Sequence, residues 1–230
     1  MRITFISDTH MKHKELTSSI PTSDLIIHSG DYTHVGYKHQ VQQFCKWYNE
    51  LKNVGKKIFI NGNHEKHVET NPEFLESTLK QYPNLVHLQD ETYGLYDMDV
   101  DKTINIYGSP WQPEFCNWGF NLPRNGSELK EKWDNIPENT DILITHGPPH
   151  GILDVMEYDP RHLGDELLRT RVDELKPKIH VFGHIHSGYG YAYINGTHFI
   201  NAAVLNEEYN FENKPLTVDW NIDENTITFV

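Results

Sequence analysis

The sequence predicts an α/β layered fold whose sheet is partly antiparallel or mixed. Two observations carry that reading: short β-branched runs alternate with amphipathic helical stretches, and further strand-like runs follow one another with no helix between them. The alternating runs are Ile3–Ile6, Leu25–Ile27, Ile58–Ile60, Ile142–Ile144 and Ile179–Phe182. Each is too short for a helix and is closed by Gly, Asp, Asn or His, as buried strands are. The helical signals are Val41, Phe44, Tyr48 and Leu51 at i, i+3, i+7 and i+10, and a second stripe of Leu163, Leu167, Leu168, Val172 and Leu175 that Pro177 stops. The helix-free strands are Thr92–Tyr96, Thr103–Tyr107, Tyr189–Ile194 and Thr197–Ile200, with Asn195-Gly196 as a hairpin signal between the last two. Ser109–Arg124 reads as a loop, because Pro110, Pro113 and Pro123 interrupt Trp111, Phe115, Trp118 and Phe120.

No linker, repeat or low-complexity tract divides the 230 residues, so one domain over 1–230 is expected. The formal net charge of -13, with no Lys/Arg-rich run to offset it, opposes binding of polymeric nucleic acid and of anionic membranes. No run of about 18 apolar residues occurs, so no membrane span is expected. The apolar start is cut short by Ser7 and Asp8, unlike a signal peptide. Cys45 and Cys116 lie far apart with no CxxC pattern, which excludes a thiolate zinc site and suits free thiols in a reducing compartment, hence a cytoplasmic location. No heptad pattern or interface patch stands out, and the oligomeric state is left open.

The chemistry lies at the strand ends. Each of the five alternating runs is followed at once by a polar cluster: Asp8-Thr9-His10, Gly30-Asp31, Gly62-Asn63-His64-Glu65, Thr145-His146-Gly147 and Gly183-His184-Ile185-His186. Open α/β sheets place ligand sites at the C-terminal ends of their strands, so clusters far apart in sequence can meet at one spot. Asp8, His10, Asp31, Asn63, His146, His184 and His186 offer carboxylate oxygens, imidazole nitrogens and an amide oxygen, a mixed set suited to Mn, Fe, Zn or Co rather than Mg or Ca. Asp-x-His and His-x-His on an extended segment would put both side chains on one face. The glycines before Asp31, Asn63 and His184 permit tight turns and close backbone approach.

The ordered motifs SDTH, GDYT, GNHE, THGPP and GHIH resemble those of the calcineurin-like metallophosphoesterases. The segments SPWQPEFCNWGFNLPR, DILITHGPPHGILD and KPKIHVFGHIHSGYG are similar to those of the metallophosphoesterase-domain-containing proteins, and the similarity covers most of the chain. The resemblance implies a metallophosphoesterase fold, a β-sandwich of two mixed sheets flanked by helices. It implies two divalent metal ions, manganese first with iron or zinc as alternatives. One ion would be held by Asp8, His10, Asp31 and His186 and the other by Asp31, Asn63, His146 and His184, with Asp31 between them. His64 would face the substrate. Two such ions would acidify a bridging water to hydroxide for in-line attack on phosphorus, and His64 would protonate the leaving alkoxide. The implied activity is hydrolysis of small phosphodiesters, cyclic nucleotides among them. The alternatives are a nucleotide or metabolite phosphomonoesterase and a scaffold that has kept the fold but lost the chemistry.

One departure matters. The protein-phosphatase branch resembles GDYVDRG in its second motif, whereas GDYTHVG stands here, with His34 in place of the Asp that would orient the catalytic His and Val35 in place of the Arg. That counts against a protein phosphatase and leaves open what orients His64. Some animal relatives carry Gly at the position of His184, so its presence implies a fuller metal site. Glu65 reads as a helix-start carboxylate favoured by the macrodipole. The aromatics around Trp111 and Trp118 are expected to pack their loop onto the body, with nucleobase stacking as the lesser alternative. His28 is expected in the core; His13, His39, His67, His87, His162, His180 and His198 are expected to be structural or solvated, and His150 could be either substrate-facing or solvated.

Overall fold

The computed structural model describes residues 1–230. Its strands are β1 (Arg2–Ile6), β2 (Ser23–His28), β3 (Val54–Phe59), β4 (Leu85–His87), β5 (Glu91–Asp97), β6 (Lys102–Ser109), β7 (Gln112–Pro113), β8 (Asn121–Leu122), β9 (Ile142–Thr145), β10 (Val155–Met156), β11 (Asp159–His162), β12 (Ile179–Phe182), β13 (Gly190–Ile194), β14 (Thr197–Asn201), β15 (Leu216–Asn221) and β16 (Thr226–Phe229). The helices are α1 (Lys38–Glu50), α2 (Lys66–Thr70), α3 (Glu73–Leu79), α4 (Ser127–Asp134) and α5 (Glu166–Leu175).

Two six-stranded mixed sheets form the body, in the orders β16-β15-β1-β2-β3-β4 and β13-β14-β12-β9-β6-β5. In the first, β1 to β4 run parallel and β15 joins β1 antiparallel. In the second, β6, β9, β12 and β14 run parallel, and β5 and β13 close the edges antiparallel. The sheets face one another across Ile3, Phe5, Leu25, Ile27 and Ile58 on one side and Ile106, Ile142, Ile144, Ile179 and Val181 on the other.

Strands buried on both faces explain the near-continuous apolar runs, because their alternate residues must face helices. Ile6, Ile26 and Phe59 pack outward against Val41, Phe44 and Tyr48 of α1 and Leu75 of α3. Leu143, Phe182 and Phe199 pack outward against Leu129 and Trp133 of α4 and Leu168 and Val172 of α5. The result is a helix–sheet–sheet–helix stack, the expected sandwich. The Asn195-Gly196 hairpin forms with φ of +54° and +94°, as a tight turn of positive-φ residues requires.

Three expectations are refined. The second helix begins at Glu166, not Leu163, because the Asp165 side chain caps it by accepting from the backbone N–H of Leu167 and Leu168. The proline-rich loop carries the short parallel pair β7–β8. The C-terminal pair β15–β16, for which no strand was expected, completes the first sheet. No helix is long and apolar enough to cross a membrane.

Candidate metal centre

The parallel strands of both sheets end at the same place, and the polar clusters meet there. Asp8 follows β1, Asp31 follows β2, Asn63 and His64 follow β3, His146 follows β9, and His184 and His186 follow β12. Links between sheets lock the convergence. The His184 N–H donates to the Asp8 carboxylate at 3.0 and 3.1 Å, and His146 Nδ1 donates to the Ser29 carbonyl at 2.9 Å.

The clusters reach the site by a different route from the one the strand period suggests. Asp8, His10, Asp31 and His184 adopt left-handed backbone, with φ of +54°, +38°, +55° and +66°. Such conformations cost of order 1–3 kcal/mol each outside glycine and concentrate at functional sites. The chain therefore turns sharply after each strand. Gly62 and Gly183 are required for close approach: a Cβ on Gly62 would collide with the Asp31 carboxylate, and one on Gly183 with that of Asp8.

All eight residues expected at the site are brought together. Three overlapping groups each place their ligating atoms within 4.8 Å of one another: Asp8, His10 and His186; His10, Asp31 and His64; and Asp31, His146 and His184. Asp31 Oδ2 lies 3.3 Å from His146 Nε2, 3.8 Å from His10 Nε2 and 3.9 Å from His64 Nε2. Asp8 Oδ1 lies 3.4 Å from His186 Nε2. Asn63 Oδ1 sits 2.9 Å from His146 Nε2.

Tautomers aim the imidazoles inward. His146 donates Nδ1–H to Ser29, and His186 donates Nδ1–H to the Asn206 carbonyl at 2.9 Å, so both turn Nε2 toward the cluster. His10 is buried with neither ring nitrogen partnered, and its Nε2 lies 4.0 Å from Asp8 Oδ1 and 3.8 Å from Asp31 Oδ2, a spacing that a cation between them would fill. Burial drives His10 and His184 down to about 3. Burial also acts on His146 and His186, but Asp31 and Asp8 respectively outweigh it and hold each at about 9. The Asp8 and Asp31 carboxylates are held below their usual range despite burial, by His186 and His146 respectively. The Nε2 atoms gathered round this carboxylate pair, with an orphaned imidazole among them, fit divalent cations, which would take the place of the protons that His146 and His186 hold there.

His64 lies at the edge of this cluster. Its Nδ1 donates to the His34 backbone carbonyl at 2.7 Å, and its ring stacks on Trp118, with centroids 4.1 Å apart and planes 21° from parallel. The position vacated by the phosphatase Asp is thus served by main chain.

Glu65 corrects the reading of it as a helix-start carboxylate. It is fully buried and accepts from the N–H groups of Gly62, Asp31 and Thr33 and from the Thr33 hydroxyl, at 2.7, 3.0, 2.8 and 2.8 Å. Burial and the neighbouring Asp31 push its pKa up, while these four donors pull against them and favour the carboxylate. It ties the GDYT and GNHE turns together.

A cavity of about 390 Å³ opens over the cluster. Beyond His10, Asp31, Asn63, His64, His184 and His186, its wall includes Phe115 and Arg124 of the SPWQPEFCNWGFNLPR segment, and Arg161, Glu207 and Tyr209, which lie in none of the quoted segments. Tyr209 meets His10 and His186 edge-on at 4.8 and 5.5 Å. In the aromatic loop Trp111 donates Nε1–H to Asp90 and Trp118 covers His64. His28, His13 and His180 are core residues. His150 lies 5.3 Å from His162, and the latter pairs with the buried Asp154.

This fold and this cluster define a class. A family model of calcineurin-like phosphoesterases matches residues 1–188, and the chain belongs to that family, whose members are generally hydrolases and bind paired divalent ions. Metallophosphoesterase domain-containing protein 1 of Homo sapiens is 40% identical over 235 residues, covering 95% of this chain and 70% of the relative. UPF0046 protein C25E10.12 of Caenorhabditis elegans is 35% identical over 95% of this chain and 80% of its own length. The solved structure of TT1561 of Thermus thermophilus superposes with a TM-score of 0.65 over 100% of this chain and 97% of that one, at 11% identity, a likeness of fold.

Proposed function

We infer that residues 1–230 form a metal-dependent phosphodiesterase acting on small phosphodiesters, cyclic nucleotides among them. The carrying observation is the meeting of Asp8, His10, Asp31, Asn63, His146, His184 and His186 beneath one cavity, with the ring of His64 at its edge. Asp8, His10, Asp31 and His186 would hold one ion, and Asp31, Asn63, His146 and His184 the other. The nitrogen and oxygen donors suit manganese, with iron or zinc as alternatives. When bound, such a pair lowers the pKa of a water molecule and neutralises phosphoryl oxygens.

His64 acts on the leaving group. Its Nδ1–H is held by the His34 carbonyl, so Nε2 is the atom that moves a proton. As water oxygen bonds to phosphorus and the P–O bond to the leaving group breaks, the imidazolium delivers its Nε2 proton to the departing oxygen. The ring remains as the neutral Nδ1–H tautomer.

The cavity's charges support a diester. Arg124 is paired to Glu166 at 2.8 Å and Arg161 to Asp159 at 2.5 Å, while Glu114, Asp165 and Glu207 also line the wall. A phosphomonoester carries a second negative charge, and Arg124, held by Glu166 and by the Gly164 and Leu163 carbonyls, is not free to meet it. A volume of about 390 Å³ suits a small molecule rather than a polymer.

The test is to strip the protein of metal, reload it with manganese, and compare hydrolysis of bis-p-nitrophenyl phosphate with that of p-nitrophenyl phosphate. Manganese-dependent cleavage favouring the diester is expected. Faster cleavage of the monoester would assign a phosphomonoesterase instead, and turnover of neither would favour the scaffold.

A further inference from the structure

We propose that Trp118 is a positioning residue that sets the orientation of the His64 imidazole for proton delivery, in partnership with the His34 carbonyl; this rests on His64 being the general acid. His64 lies on the short turn Asn63–Glu65 with its side chain 13% exposed, so what encloses the ring decides its orientation. The χ2 torsion of histidine is broad, and a single hydrogen bond at Nδ1 selects one ring flip without fixing the plane. The Trp118 face supplies the missing constraint, 4.1 Å away and 21° from parallel. On another side the His10 ring meets His64 edge-on at 4.5 Å. Between these rings His64 keeps Nε2 directed at the cluster, 3.9 Å from Asp31 Oδ2.

The loop that carries Trp118 is fastened to the same turn it covers. Gly119 N–H donates to the Asn63 carbonyl at 2.9 Å, Phe120 N–H donates to Glu69 Oε2 at 2.8 Å, and Lys66 Nζ donates to the Asn117 carbonyl. A Cβ on Gly119 would press on Lys66 Cα and the Asn63 carbonyl, so the fit is close at the main chain as well. The stack is thus built in at both ends, by the loop and by the turn. Misplacing a reacting group by about 1 Å costs on the order of a hundredfold in rate.

Leaving-group dependence separates this role from a structural one. Diphenyl phosphate expels a phenol of pKa about 10, which needs a proton, whereas bis-p-nitrophenyl phosphate expels a far better leaving group. With the manganese-loaded protein, Trp118→Leu is expected to lower the ratio of kcat on diphenyl phosphate to kcat on bis-p-nitrophenyl phosphate by about 10- to 100-fold. KM should change little, and Trp118→Phe, which keeps a stacking face, should restore the ratio. NMR of the metal-free protein labelled at histidine should show ring-current-shifted His64 ring protons in the wild type and Trp118→Phe, and loss of that shift in Trp118→Leu. An unchanged ratio in Trp118→Leu, while His64→Ala lowers it, would overturn the positioning role alone. A ratio unchanged in His64→Ala would overturn the acid assignment and this inference with it.

Discussion

Glu65 holds two turns of the candidate metal centre with one carboxylate. Its Oε1 receives Thr33 N–H and Oγ1–H, and its Oε2 receives Asp31 and Gly62 N–H. Glutamine in its place would set an amide NH₂ against two of those donors. Leaving buried donors unsatisfied costs about 1–3 kcal/mol, more where a charge was involved. Glu65→Gln should therefore lose about 3 kcal/mol in denaturant unfolding; a loss below about 1 kcal/mol would show that the bracing is unimportant. The candidate ligands were legible in the sequence because each directly follows an apolar strand and belongs to a short ordered motif. Glu65 was in plain view in the same motif yet misread, since an acid before a helix has the same local pattern whether it faces solvent or accepts from a distant turn. Tyr209 and Arg161 carried no signal, because the loop and hairpin that present them to the cavity are placed by tertiary packing.

Among the elements, the strands read correctly were those with uninterrupted β-branched runs, and the two helices were those with a clear apolar stripe. The pair β15–β16 escaped because its signal is an alternation, with Val218 and Trp220 turned into the sandwich and Asp219 turned out to meet Arg2 at 2.8 Å. Read alone, a charged residue inside a short terminal run weakens a strand assignment; only its register against β1 shows why it is tolerated. The start of α5 turns on Asp165, which caps Leu167 and Leu168 N–H and also accepts the Trp133 indole N–H at 2.7 Å. Asp165→Ala should remove the cap and strand a buried indole donor, together about 3 kcal/mol. Thermal unfolding of that variant would report the loss, and a transition within error of the wild type would contradict this account of how α5 and α4 are joined.

Across the whole molecule, buried neutral histidines make stability depend on pH. Burial pushes His28 and His180 down to about 3 and His13 to about 4, the last with help from Lys14. An unfolded imidazole titrates near 6.5, so below that value the unfolded chain binds protons that these folded groups refuse. Their stabilising contribution is complete above about pH 6.5 and drains away as pH falls toward the folded values. His13 packs on Phe44 and Trp47 with neither nitrogen partnered, and so offers a clean probe away from the cluster. His13→Leu should reduce the slope of unfolding free energy against pH between 6 and 5 by up to about 1.4 kcal/mol per pH unit, measured by urea unfolding. Parallel wild-type and variant curves would contradict the buried neutral state. The same four-layer body that buries these groups brings the ends of two parallel sheets together, which is what turns dispersed motifs into one centre.

That centre is tested most directly by counting metal. Protein stripped and reloaded with manganese should retain about two ions per chain, and Asp31→Asn, which removes the carboxylate proposed to be shared between them, should retain less than about one while unfolding cooperatively. Two ions retained by Asp31→Asn, or none held by the wild type, would contradict the assignment of Asp31 and its neighbours as a dinuclear metal site.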